Sequence, residues 1–333
     1  MSKKIRIVQY GCGSIGCSIV RLALRKPNIE IVGAIDMVNL GRDLGEVAGI
    51  DRKLGIPVVE DVVSILVKTK PDIVLHSTGS ILKEVWPQLE MVIKAGANII
   101  STCEELSYPH RDQKLLAHAI DRLAKEHQST VLGTGVNPGF LMDTLPLALT
   151  AICQNVEMVR VVRVQDASTR RIPFQKKIGA GKTIEEFNKS ARAGILRHVG
   201  LAESIATVAA GLKWELDDIT EIIKPVIAKT DLSNNFLTIK PGQVAGVKQT
   251  GYGLKDGTRK VILELQAYMG AKKSYDAIYI TGSPNIGSYI KGGVHGDLAT
   301  TAIVVNSIER VIDAPPGLLT MKDLPIVCAL INE

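Results

Sequence analysis

The sequence predicts an α/β protein: a doubly wound parallel sheet followed by a second α+β domain with a mixed or antiparallel sheet. Three observations carry this reading. Up to about residue 140, short apolar runs alternate with stretches whose apolar residues recur at helical spacing. A glycine-rich turn, Gly11-Cys-Gly-Ser-Ile-Gly16, joins the first run to the first helical stretch. Beyond residue 150 two long apolar runs, 260–270 and 274–282, follow one another with no helix between them.

Residues 4–9 read as a strand, and 15–25 as a helix with Ile15, Ile19, Leu22 and Ala23 on one face and Pro27-Asn28 as its stop. A strand over 29–35 is closed by Asp36, and 57–59 is a further strand with its helix over 61–68. Strand 72–77, helix 82–95 with Gly96 at its end, strand 98–101, helix 109–127 and strand 131–133 continue the pattern. Strands separated by helices and joined by short links belong to a parallel sheet covered on both faces. The second half offers a strand over 158–165, helices near 182–194 and 198–212, and the two long strands. A helix over 298–310 is apolar enough to pack back on the first domain. The expected organisation is a nucleotide-binding domain over 1–140, a substrate and oligomerisation domain over 141–297, and a C-terminal segment over 298–333 on the first domain.

Composition excludes several classes. Hydrophobic residues make up 46% and charged residues 22%, the balance of an ordinary soluble protein. The excess of Lys+Arg (40) over Asp+Glu (34) gives +6, but the basic residues are dispersed, so no nucleic-acid partner is expected. The five cysteines include no CxxC pair and no histidine stands at metal-ligand spacing. Reduced thiols in a cytoplasmic protein are expected, with no metal. The opening MSKKIRIVQYG enters a strand at once and leaves no room for a signal peptide. The longest apolar runs are strand-length, so no membrane span is expected.

The glycine turn has the full context of a dinucleotide site: strand before, helix after. Gly11 lets the chain turn off the strand, Gly13 leaves the backbone open to a pyrophosphate, and Gly16 lets helix and strand approach closely. Ser14 and Ile15 stand at the helix start, where N–H groups and the helix dipole attract phosphate. This is a Rossmann-type unit. Asp36, twenty residues beyond Gly16, is placed to accept from adenosine ribose hydroxyls and to repel a 2′-phosphate, so NAD is the expected cofactor. Arg42 nearby leaves NADP possible. Cys12 and Cys17 border the turn, as reactive thiols or as small residues filling tight space.

Ligands of such a sheet gather at the carboxyl ends of its strands. Three ends carry candidates: His76-Ser77-Thr78-Gly79, Ser101-Thr102-Cys103-Glu104-Glu105, and the loop from Gly135 to Phe140. Ser77, Thr78, Thr102 and Asn137 are expected to touch the cofactor. Glu104 and Glu105 offer a general base, or both cap the helix expected near Pro109. Cys103 could form a thioester beside the cofactor or be a packed thiol, and His76 could line the nicotinamide ribose or simply end its strand. In the second domain, RVVRVQDASTRR holds Arg160, Arg163, Gln165, Arg170 and Arg171, with His198 further on. Arginines fork onto carboxylates, and strand alternation puts Arg163 and Gln165 on one face.

Several longer segments are similar to a known family. GRDLGEVAG (41–49), STCEELSYP (101–109), GTGVNPGF (133–140), DASTRRIPFQKKIG (166–179), HVGLAES (198–204) and PGLLTMKDLP (316–325) together resemble 2,4-diaminopentanoate dehydrogenase and the native amine dehydrogenases. More distantly, the first domain resembles 4-hydroxy-tetrahydrodipicolinate reductase, but the paired histidines and the Lys-x-Asp-x-Pro-Ser-Gly-Thr segment of that enzyme are missing from VQDASTRRIPFQKKIGAG. The resemblance implies NAD(P)-dependent oxidative deamination of an amine or diamino acid to a carbonyl compound and ammonia, reversible as reductive amination. It implies Glu104 as the essential acid, with Glu105 as alternate. It implies Asn137, Phe140, Arg163, Gln165, Arg171 and His198 around the amine. Cyclic-imine reduction and a non-catalytic NAD-binding regulator are the alternatives. A homodimer is expected, because an apolar sheet in the second domain needs a cover.

Overall fold

Residues 4–170 and 172–329 are described in the computed structural model. Strand and helix alternate through β1 (Ile5–Tyr10), α1 (Ser14–Ala23), β2 (Ile29–Ile35), α2 (Leu44–Val47), β3 (Val58–Val59), α3 (Val62–Thr69), β4 (Ile73–His76), α4 (Leu82–Lys94), β5 (Asn98–Ser101), α5 (Lys114–Glu126) and β6 (Thr130–Gly133). Then follow α6 (Thr144–Thr150), β7 (Asn155–Asp166), α7 (Ile172–Lys177), α8 (Ile184–Arg192), α9 (Leu201–Gly211), β8 (Asp218–Ile227), β9 (Leu232–Ser233), β10 (Thr238–Ile239), β11 (Val244–Lys255), β12 (Thr258–Tyr268), β13 (Tyr275–Ser283) and β14 (Ile286–Lys291). The last elements are α10 (Gly296–Asn306), α11 (Ile308–Ile312) and β15 (Gly317–Leu319). The chain divides into two units, Met1–Phe140 with His295–Glu333, and Leu141–Val294.

The first unit is built on a seven-stranded sheet in the order β15-β6-β5-β4-β1-β2-β3, parallel throughout. Successive side chains of each strand serve opposite layers. Ile7, Ile73, Ile100 and Leu132 pack with Ile19 of α1, Val304 of α10 and Ile308 of α11. Val8, Val74, Ile99 and Val131 pack with Leu66 of α3, Leu89 of α4 and Ile120 of α5. Both faces are buried, which is why these strands read as continuous apolar runs rather than as alternation. The strand order reverses between β1 and β4, and the glycine turn and the segment after His76 lie at that switch point.

The end of β5 is held close to β6. A Cβ on Gly133 would lie 2.4 Å from the carbonyl carbon of Leu106, so only glycine lets the 3₁₀ turn Glu104–Ser107 sit against the strand end. The expected helix 109–127 starts at Lys114 instead. Residues before it form a separate turn, closed by Gln113 N–H donating to Pro109 O at 3.0 Å. The expected helix 298–310 is two helices, parted at Ser307, whose hydroxyl bonds back to Ile303 O at 2.7 Å.

The second unit carries a six-stranded mixed sheet, β14-β13-β7-β12-β11-β8, in which β7 and β12 run parallel and the other pairs antiparallel. Strand β11 escaped the sequence reading because Gly246, Gly251 and Gly253 look like loop residues. Gly251 and Gly253 lie under α9, where a Cβ would come 2.7 Å from Ile205, and at Gly246 a Cβ would meet the Ala267 carbonyl oxygen of β12 at 2.1 Å. The opposite face holds Glu264 between Arg160 and Lys248 and stacked Tyr275 and Tyr289. Among the described residues no helix is long and apolar enough to cross a membrane.

Candidate active site

The glycine turn is held from three sides. Gly11 has φ +91° and leaves room for the Ser77 carbonyl oxygen, 2.6 Å from where its Cβ would be. A Cβ on Gly16 would lie 1.9 Å from the Gly11 oxygen, so strand and helix backbones cross there in contact. Gly13, the N-cap of α1, is exposed and has nothing within 4 Å of a Cβ position. Close packing at Gly16 and open space at Gly13 is the cradle a pyrophosphate needs. Below it, the buried Gln9 amide donates to Gly11 O (2.9 Å) and Ser77 Oγ (3.0 Å), and Ser77 Oγ donates to Gly11 O. Asp36, half-buried at the end of β2, accepts from the N–H groups of Cys12 and Val38. It ties the turn to the second strand and keeps acceptor capacity for a ribose. Arg42 bonds Asn39 and Glu46, each at 2.7 Å. These residues fit a dinucleotide. Burial, reinforced by Asp36, pushes the Cys12 thiol up to about 12, so this cysteine is a packed thiol rather than a nucleophile.

At the neighbouring strand ends, His76 is buried and its basicity is pushed down to about 4 by burial. Its Nδ1 meets Ser101 Oγ at 2.8 Å and its Nε2 meets Gln88 Oε1 at 2.8 Å and Thr78 Oγ1 at 2.9 Å. Ser101 Oγ also accepts from Cys103 N–H at 3.1 Å. The two acids of the turn part company. Glu105 Oε2 accepts from Leu82 N–H at 2.8 Å, capping α4 rather than the helix near Pro109 that was one of the two expected alternatives. Glu104 is half-buried at the head of the 3₁₀ turn, and its carbonyl accepts from Ser107 Oγ. Thr102, half-buried, bonds His76 O through its N–H. Cys103 is buried, and burial pushes its thiol up to about 12; a thioester nucleophile needs the thiolate.

The loop after β6 is fastened by Val136 N–H to Thr300 Oγ1 at 3.2 Å. Asn137 is half-buried within it, joined to Pro138 by a cis peptide bond, and Phe140 packs partly buried against the α1 layer.

In the second unit, Arg163 and Gln165 do share a face, and both donate to one atom, Val294 O, at 2.7 and 3.0 Å. Arg163 is 2% exposed and lies 3.4 Å from Asp276, which in turn accepts from Val294 N–H. Gln165 accepts from Arg170, whose guanidinium lies over Phe174 at 4.3 Å. His198 is placed by Gln249, which accepts from its N–H (2.8 Å) and donates to its C=O (3.0 Å). Arg171 lies outside the described residues. Asp276, Gln88 and Gln249 were not singled out from the sequence; each makes its contact across the fold, where no local spacing marks it.

Gly13→Ala should change stability by no more than about 0.5 kcal/mol and weaken dinucleotide binding in a fluorescence titration. Gly16→Ala should cost about 2 kcal/mol as well as binding, read by thermal unfolding. His76 titrates below the 6.5 of an unhindered imidazole, so at mildly acid pH the unfolded chain takes up the proton that the folded chain refuses. Its contribution is complete above about pH 6.5 and is lost as pH falls toward about 4, a loss of about 3 kcal/mol. Urea unfolding across that range, compared with His76→Gln, reads it: the variant should show the flatter acid limb.

Known proteins agree with this architecture. A family profile described as 2,4-diaminopentanoate dehydrogenase C-terminal domain matches residues 140–333, and one described as dihydrodipicolinate reductase, N-terminus, matches residues 5–104. The chain is 33% identical over 345 residues to a 2,4-diaminopentanoate dehydrogenase of Acetoanaerobium sticklandii, covering 99% of this chain and 96% of that one. Its structure is similar to that of an amine dehydrogenase from Mycobacterium smegmatis, with TM-score 0.86 and 26% identity over 99% of this chain and 98% of the other. A dipicolinate-bound dihydrodipicolinate reductase from Paenisporosarcina sp. TG-14 shares the fold, with TM-score 0.54 and 14% identity over 96% and 98% of the two chains. With a family match over more than half its length and 33% identity over nearly all of it, the chain belongs to the 2,4-diaminopentanoate dehydrogenase family.

Proposed function

We propose that this protein oxidatively deaminates a 2,4-diaminopentanoate-like amine or diamino acid, with Glu104 as its proton acceptor. Its family is one of NAD(P)-dependent oxidoreductases acting on CH–NH2 bonds. In balance, the substrate ammonium (CH–NH3+), NAD+ and water give the carbonyl compound, NH4+, NADH and H+, and ammonia drives the reverse reductive amination. The bound dinucleotide supplies the hydride acceptor. Proton handling falls to the protein: the substrate ammonium must lose a proton before its carbon can release hydride, and the resulting iminium must be attacked by water. A single carboxylate can accept that proton, face the iminium charge and activate the water.

The observation that carries the choice of Glu104 is the bond from Leu82 N–H to Glu105 Oε2. Glu105 is committed to the head of α4, and Glu104 is the other acid at the carboxyl end of β5. NAD is the preferred cofactor in this reading: Asp36 stands at the end of β2, and Arg42, which could have received a 2′-phosphate, is paired with Glu46. Gly11, Gly13, Ser14, Ile15, Gly16, Ser77, Thr78, Thr102 and Asn137 would hold the dinucleotide. Asn137, Phe140, Gln165, Arg171 and His198 are assigned to the amine by family resemblance. Arg163, paired with Asp276 and sharing the Val294 carbonyl with Gln165, is in this reading a support of this face rather than the grip on a substrate carboxylate.

NADH absorbance followed with ketones plus ammonium, and with 2,4-diaminopentanoate plus NAD, tests the reaction. Ammonium-dependent oxidation of NADH is expected; turnover of a cyclic imine without ammonium would replace this reading with an imine reductase. Glu104→Gln should lower kcat by roughly a hundredfold or more while retaining NADH binding. Glu105→Gln should lose about 1 kcal/mol of stability with its cap and the smaller share of kcat.

A homodimer through the second unit is part of the same proposal. Tyr279, Tyr289 and Ile222 are 45%, 57% and 45% exposed on the sheet face that carries Arg160, Glu264 and Lys248. A second copy of that face, with its own tyrosines and its own paired charges, is the natural cover. Sedimentation should give twice the 35.9 kDa of one chain, and Tyr279→Glu with Tyr289→Glu should return it to one.

A further inference from the structure

We propose that His76 is a positioning residue that sets the site of Glu104 through Ser101 and, by its other nitrogen, couples that site to Thr78; this rests on Glu104 being the proton acceptor. The imidazole is buried at the last position of β4, between the strand that leads to the dinucleotide segment Ser77-Thr78 and the strand that leads to the acid. Gln88 Oε1 can only accept, so the Nε2 that faces it at 2.8 Å carries the proton. Thr78 Oγ1, 2.9 Å from Nε2, donates to the same Gln88 oxygen at 2.6 Å. A neutral imidazole protonated on Nε2 accepts on Nδ1, so the Ser101 hydroxyl must donate to it. The Ser101 oxygen then has its lone pairs for the N–H of Cys103, the N-cap of the 3₁₀ turn whose next residue is Glu104.

The bonds therefore run in one direction, from Cys103 N–H to Ser101 Oγ, from Ser101 Oγ–H to Nδ1, and from Nε2–H to Gln88 on α4. Protonation of the ring would turn Nδ1 into a donor and leave the Ser101 hydroxyl facing it without an acceptor. Burial keeps the ring neutral. A hydrophobic residue at this position would fill the space between Tyr10 and α4 equally well, as Tyr10 packs edge-on against the ring at 5.3 Å. Only a group with an acceptor on one side and a donor on the other orders both strand ends. Small displacements of a reacting group cost heavily: about 1 Å is worth up to roughly a hundredfold in rate.

The two nitrogens can be tested separately, because asparagine places an amide oxygen near Nδ1 and glutamine places an amide nitrogen near Nε2. Ser101→Ala and His76→Gln, which lose the Nδ1 arm, should lower kcat roughly tenfold or more with NADH affinity kept within about threefold, confirming the fold is intact. His76→Asn should recover most of that kcat loss and weaken NADH binding instead. Combining Ser101→Ala with Glu104→Gln decides whether the arm acts through the acid: a double variant no slower than Glu104→Gln alone is expected, because coupled positions do not add. Fully additive losses, or Ser101→Ala and His76→Gln both turning over within about threefold of the unaltered enzyme, would overturn the proposal. If Glu104→Gln alone keeps its activity, it is the assignment of the acid that fails, and that result is seen before the double variant is read.

Discussion

A parallel sheet has no face it can leave to water. Each strand of the first unit is buried on both sides, and every apolar side chain that points up needs a layer above as surely as its neighbour needs one below. On one side α3, α4 and α5 supply that layer in simple succession. On the other, α1 cannot cover a seven-stranded sheet alone, and the chain returns from the second unit to complete the layer with α10 and α11. The strand β15 then extends the sheet beside β6. With both faces filled, only the ends of the strands stay open, and the glycine turn, Asp36, His76 and the Glu104 turn all gather at the carboxyl ends.

Within that rim, backbone contact does much of the positioning. Gly16 meets the Gly11 carbonyl, Gly11 meets that of Ser77, and Gly133 meets the Leu106 peptide. At each contact a side chain is absent so that one loop can rest on another. Polar side chains then set direction. Asp36 draws the glycine turn toward β2, Gln9 and Ser77 hold it from below, and Asp43 receives the N–H groups of Gly45, Leu54, Gly55 and Ile56. Those bonds hold the Asp43 carboxyl below its ordinary range. The segment GRDLGEVAG, which helped to mark the family, is thus a loop anchor as much as a signature.

What could be read in the sequence is what is local. The glycine spacing, the acid at the end of β2 and the run of buried strands are patterns over a few residues, and the parallel sheet follows from them. The roles of single polar residues are not local. An arginine that grips a substrate and one that grips an aspartate look the same in sequence; Arg163 stands 3.4 Å from Asp276 and donates to Val294 O, 131 positions away. Local spacing left the paired acids equivalent; family resemblance favoured Glu104, and the physical difference between them is that Leu82, 23 positions earlier, takes Glu105. Strand β11 was hidden for the opposite reason: its glycines answer to a helix packed on top of it and to the neighbouring strand, not to a turn.

The interrupted layout of the first unit also sets an order of events at the ribosome. Leu141–Val294 is contiguous and can close its own contacts once it has emerged. The nucleotide-binding unit, although made first, holds Ile7, Ile73, Ile100 and Leu132 without Val304, Ile308 and Val311 until the intervening unit has been synthesised. At ordinary translation rates that interval is on the order of ten seconds. For that time the earlier-made half of this unit is less finished than the unit made after it, and its bare layer is the surface a chaperone would meet.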